Sequence, residues 1–163
     1  MKTQKLAELS MLTAFAIIIF VLELQIPNLS PVPGVKLGLA NIITVYAVYT
    51  HKGREVFLIV LVRVLLGAIL SGQMTALLYS LSGSMLCLIA MLPMRRIIPE
   101  SHIWMASVLG AVLHNAGQIA AAILETQTTG LIAYQPVLLV SGCIAGAFTG
   151  LCAQFVVNGA WRK

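Results

Sequence analysis

The sequence predicts an all-α membrane protein: one integral-membrane bundle over residues 1–163, with about six transmembrane helices and both termini in the cytoplasm. Three observations predict it. Hydrophobic residues fill 60% of the 163 positions, charged residues 9%, and the mean hydropathy is +0.98. A soluble domain carries roughly 25% charged residues, so this chain lacks the polar side chains to cover itself in water. The apolar residues also fall into about six runs between short polar segments, and a helical crossing of a hydrocarbon core about 30 Å thick takes roughly 20 such residues. Finally, the bases are placed asymmetrically. One side would hold Lys2, Lys5, Lys52, Arg54, Arg95, Arg96, Arg162 and Lys163, the other Lys36 alone, with Arg63 inside a span. Cytoplasmic loops carry the excess Lys and Arg, which fixes the expected orientation in a bacterial inner membrane.

The first span covers about 6–26. Lys2 and Lys5 precede it as in a signal peptide, but the run is long and no small-residue cleavage site follows, so a retained helix is expected. Prolines and Gly34 then make an irregular loop, because proline fixes φ and removes a donor. The second span, 37–49, is short enough to dip, tilt or begin inside that loop. HKGRE at 51–55 is a tight polar turn before the third span, 56–71. Gly72 and Gln73 form a minimal hairpin to the fourth, 74–92. PMRRIIPESH at 93–102 is the longest charged connection, the fifth span covers 103–124, and ETQTTG leads to the sixth, 131–157. Trp104 and Trp161 fall at the expected cytoplasmic interface, where amphipathic rings settle.

Composition excludes several functions. The +5 net charge is spread singly or in pairs between apolar runs rather than clustered on one face, which argues against nucleic acid. There is no Asp, hence no Asp-rich magnesium site for a diphosphate. No phosphate loop, HExxH or CxxC occurs, so neither ATP hydrolysis by that route nor a metal site is expected. Cys87, Cys143 and Cys152 lie in apolar runs and read as small packing residues. No cofactor is expected, and no catalytic residue.

Polar residues inside spans are therefore the candidates for function. Arg63 sits near the middle of the third span, where a cation costs roughly 2.5–3.5 kcal/mol on insertion scales and normally faces the bundle interior. His114, Gln118, Ala121 and Glu125 form a stripe on the fifth span with Asn115 beside it. Glu23 closes the first span, Lys36 and Asn41 open the second, and Gln73 caps the third, all on the side away from the bases. Together these predict an outward-facing polar pocket for a small ligand. Arg63 would hold an anionic group, as guanidinium pairs bidentately with carboxylate or phosphate; Asn115, Gln118, Asn41, Lys36, Glu23 and His114 would line it. Gly142, Gly146 and Gly150 recur every fourth residue, the spacing that lets another helix approach closely. Their partner is either another span of this chain or another protein. Ser10 and Ala14 make a weaker version on the first span.

GVKLGLANI at 34–42, the Arg63–Gly67 segment and HNAGQ at 114–118 resemble the bacterial Gx transporter family, often labelled heptaprenyl diphosphate synthase component I. That family is similar to the substrate-binding S components of energy-coupling factor transporters. The resemblance implies a six-helix S-component-like fold whose first loop covers an outward pocket, and a first span that presents small residues to an energy-coupling membrane protein driven by ATPases. Ser10 and Ala14 fit that pattern loosely. The label also implies a competing role as a non-catalytic membrane accessory to a polyprenyl-diphosphate enzyme, and relatives are met in flavin- or quinone-linked extracellular electron transfer.

Overall fold

The computed structural model describes residues 3–25, 38–72 and 74–160. It contains six α-helices: α1 (Thr3–Gln25), α2 (Asn41–Thr50), α3 (Gly53–Ser71), α4 (Thr75–Met94), α5 (Ile103–Thr126) and α6 (Gln135–Ala160). Short 3-10 turns at Glu100–His102 and Thr129–Tyr134 lead into α5 and α6, and the described residues include no strand. Four segments are long and apolar enough to cross a membrane: Thr3–Gln25, Leu77–Met94, Glu100–Thr126 and Thr129–Gly159. The chain is thus a multi-pass membrane protein. Large apolar side chains such as Ile89, Ile144 and Phe155 point outward, as they do where the solvent is hydrocarbon rather than water.

The other two helices depart from a simple crossing. Helix α3 is long enough but carries Arg54, Glu55 and Arg63. Helix α2, expected over 37–49, begins only at Asn41 and has 10 residues, which at 1.5 Å per residue is about 15 Å, half a bilayer. The turn Gly38–Ala40 delays its start. Gly38 takes a positive φ of 68° and its carbonyl accepts the Asn41 N–H. Lys36 and Gln73 lie outside the described residues. At the far end of α3 the expected hairpin begins at Gly72, in the left-handed region at φ 67°, which glycine adopts without steric cost.

Contacts between polar groups gather one end of the bundle. Lys5 pairs with Glu55 at 2.8 Å, His51 with Glu8 at 3.2 Å, and Arg95 Nη1 donates to the carbonyls of Val48 and His51 at 2.9 and 2.7 Å. The start of α1, the α2–α3 turn and the α4–α5 turn therefore meet, and Lys5, Lys52, Arg54, Arg95 and Arg96 share this basic end. The best-buried apolar side chains lie toward it as well: Val56, Ile59 and Val60 of α3, Met91 of α4, Ile103 of α5 and Val157 of α6. Among the described residues, the first halves of α4 and α6 and the last turns of α5 contribute no buried large apolar side chain. The largest fully buried apolar side chains thus lie toward the basic end, while smaller ones, Val64 and Ala68 of α3 and Ala40 before α2, continue past the level of Arg63.

Candidate functional site

At the level of Arg63, polar side chains enter the bundle. Arg63 lies midway along α3, half-buried, and its Nη1 donates to Asn41 Oδ1 at 3.0 Å. The short α2 makes this contact possible. Because α2 begins only at Asn41, that residue, in its first turn, sits beside Arg63, midway along α3. A helix N-terminus carries about half a positive charge, so guanidinium and helix end add at one point.

Glu23 is buried near the end of α1 and its Oε1 accepts the Gly38 N–H at 2.5 Å. It is also near enough to Arg63 to interact electrostatically, as is Cys87 of α4. His114 of α5 lies near enough to Arg63 to feel its charge and packs against Gly83 of α4. Gly83 has no room for a side chain, since a Cβ there would lie 2.7 Å from the His114 carbonyl oxygen and 2.9 Å from Gln118 Cγ. Helices α1, α2, α4 and α5 thus each place a polar or sulfur-bearing group near Arg63 of α3. Two buried hydroxyls, Thr44 on α2 and Ser84 on α4, have no hydrogen-bond partner among the described residues. Buried polar groups are nearly always satisfied, which sets these two apart among the described residues.

The expected site residues divide. Arg63, Asn41, Glu23 and His114 come together, and Gln118 lies beside His114 over Gly83. Asn115 instead ties α5 to α6, because its Nδ2 donates to the Leu138 carbonyl at 2.7 Å and fills the space opposite Gly142. Glu125, near the end of α5, interacts instead with Tyr79 near the start of α4. Lys36 cannot be placed, as it lies outside the described residues. Sequence reasoning overlooked Thr44, Ser84 and Cys87. Thr44 was findable, because it follows Asn41 by three residues and shares its helix face; Ser84 and Cys87 gain meaning only through the packing of α4.

The glycine stripe has an internal partner. Added Cβ atoms at Gly142, Gly146 and Gly150 would lie 2.7 Å from Asn115 Nδ2, 2.8 Å from Val108 Cα and 2.6 Å from Trp104 Cα, all on α5. Ser107 and Thr149 complete this seam through hydroxyls 3.1 Å apart. Ser10 and Ala14, by contrast, are exposed on α1.

Comparison with protein families matches residues 12–156 to the model described as heptaprenyl diphosphate synthase component I. No curated protein and no solved structure matches.

Proposed function

The chain belongs to the heptaprenyl diphosphate synthase component I family, and on that premise we propose that it is a non-catalytic membrane component that binds a small polar ligand in the chamber around Arg63. The observation that carries this reading is the Arg63–Asn41 hydrogen bond midway along α3. Membrane proteins hold ionisable groups inside the bilayer where substrates pass or bind, and a half-length helix ending at such a group is a recurring way to present backbone dipoles to a ligand. The anionic group of the ligand meets Arg63 and the start of α2; Thr44 and Ser84 supply hydroxyls; His114 and Gln118 border it from α5. The large buried apolar side chains toward the basic end and the polar groups near Arg63 favour an opening toward the other side. With Lys and Arg gathered at the basic end, that end is cytoplasmic, both termini are inside, and the membrane is the bacterial inner membrane. Energy for any transport would come from partner proteins, with the exposed small residues Ser10 and Ala14 of α1 as the docking face for an energy-coupling membrane subunit and its ATPases.

The family description favours a second reading. A protein described as component I of a synthase is one part of a larger apparatus, and the absence of Asp leaves this chain without the magnesium-holding carboxylates of a prenyl-transfer centre. In that reading it is the membrane accessory of a catalytic partner.

Mass spectrometry of small molecules retained by the gently purified protein separates the two. The binding reading predicts a stoichiometric polar ligand that is lost in Arg63→Gln and Asn41→Ala. A chain retaining nothing, yet raising the activity of a soluble prenyl synthase, would replace it with the accessory reading.

A further inference from the structure

A second polar feature lies at the basic end, away from the chamber. An open depression of about 570 Å³ is lined by Tyr49, Arg95, Arg96, Ile98, Pro99 and Glu100, between the end of α2 and the α4–α5 turn. Its walls are held from both sides. Arg95 is committed to the Val48 and His51 carbonyls, and the Tyr49 hydroxyl donates to the Ile98 carbonyl at 3.4 Å. Arg96 is different: it is exposed, and its guanidinium has no partner among the described residues. Glu100 lines the same depression and forms no ion pair with either arginine. One cation and one carboxylate thus face a common space without closing on each other.

The surroundings locate this space at the membrane boundary. Ile97, next to Arg96, is 80% exposed, which would be costly in water and is ordinary where acyl chains begin. Trp104, exposed in the first turn of α5, is the kind of ring that settles at headgroup level. Basic pockets between helix ends on such a surface take lipid headgroups.

The charge pattern narrows the choice. A headgroup with phosphate alone would satisfy Arg96 but bring a second negative charge toward Glu100. A choline headgroup presents a cation without an N–H to donate. A headgroup with a phosphodiester and a primary ammonium answers both groups. We propose that this depression is a binding site for a phosphoethanolamine lipid headgroup, with the phosphate on Arg96 and the ammonium on Glu100. The proposal stands apart from the chamber reading, since it uses neither Arg63 nor the other side of the bundle.

Native mass spectrometry of the full chain in detergent, offered phosphatidylethanolamine, phosphatidylglycerol and phosphatidylcholine in equal amounts, tests it. Wild type retains one phosphatidylethanolamine in preference to the others. Arg96→Gln lowers that retention about tenfold, the weight of one charge-assisted hydrogen-bonded contact, while Arg54→Gln, an equally exposed arginine at the same end, leaves it unchanged. Glu100→Gln shifts the preference to phosphatidylglycerol. Equal retention of all three lipids by wild type, or equal losses in the Arg96 and Arg54 variants, would show only diffuse surface charge and overturn the site. Displacement by soluble phosphoethanolamine at the same concentration would overturn the lipid as its occupant.

Discussion

Between α5 and α6 there is no space for a methyl group: a Cβ built at Gly150 would lie 2.6 Å from Trp104 Cα. Between α2 and α3 an asparagine and an arginine side chain share the gap. The same contrast runs through the molecule. Helix α4 meets α5 through Gly83, Gly110 and Gly117, where added Cβ atoms would lie 2.7 Å from the His114 carbonyl oxygen, 2.6 Å from Met91 Sδ and 2.9 Å from Gly83 Cα. Helices α1, α2 and α3 pack through Leu9, Val45, Val48, Val56, Ile59 and Val60 and are tied further by Lys5–Glu55, His51–Glu8, Glu23–Gly38 and Arg63–Asn41. Lipid provides no hydrophobic drive for helix association, so close backbone approach and polar ties are the two means available. This chain puts its closest backbone approaches between α4, α5 and α6 and its charged ties among α1, α2 and α3. The glycine-packed seams have no room for a side chain, whereas the ties among α1, α2 and α3 run mostly through polar side chains.

That difference predicts opposite responses to mutation. The largest effect is expected at the seam. Gly150→Leu must push α6 off α5, costing about 3 kcal/mol, the upper range of overpacking, and the protein should lose its monodisperse peak on size exclusion. Gly159→Leu, with nothing within 4 Å of an added Cβ, should leave that peak intact. In the polar half Arg63→Met should abolish ligand retention while leaving the monodisperse peak in place, because the half-buried guanidinium is hydrogen-bonded to one neutral amide, Asn41, rather than wedged in a closed seam. If Arg63→Met aggregated as Gly150→Leu does, the arginine would be a structural tie and the contrast would fail.

A smaller effect belongs to Arg95, whose two hydrogen bonds satisfy carbonyls at the C-terminal end of α2. Arg95→Gln should lower stability by about 1.5–3 kcal/mol, the range for charged hydrogen bonds, seen as a reduced melting temperature in detergent. The smallest is at Glu55, an exposed-side pair. The Lys5 side chain, and after it the Lys52 backbone N–H, hold the Glu55 carboxyl below its usual range. A carboxyl with a lower pKa folded than unfolded stabilises above its unfolded pKa, and that contribution disappears as pH falls through the depressed value. Melting curves from pH 7 to pH 3 should therefore show a shallower acid decline in Lys5→Gln than in wild type.

Much of this was legible in the sequence because lipid imposes simple rules. Helix number, the Gly72 hairpin and the four-residue glycine spacing all follow from apolar run length and small-residue periodicity. Arg63 and Asn41 stood out because intramembrane polar groups are rare. What was not legible depended on depth and partner. The late start of α2 comes from the Gly38 turn and moves Asn41 inward by several residues. Asn115 looked like its neighbour His114, but one residue rotates a helix by about 100°, which turns it to α6. His51 and Arg95 looked like ordinary loop charges until the fold brought Glu8 and the α2 carbonyls to them. Gly83, Gly110 and Gly117 lie on two helices, so no single-span pattern revealed their shared seam.

The central claim is that water and solutes reach Arg63 and Asn41 inside the membrane from the side away from the basic end. Thiol labelling in whole cells tests it most directly, with Cys87, Cys143 and Cys152 replaced and a single cysteine introduced as Asn41→Cys or, on the lipid-facing side of α6, Ile144→Cys. A small charged, membrane-impermeant reagent added outside should modify Asn41→Cys and leave Ile144→Cys unreacted. Equal inertness of both, or reaction at residue 41 only from the cytoplasmic side, would contradict the account.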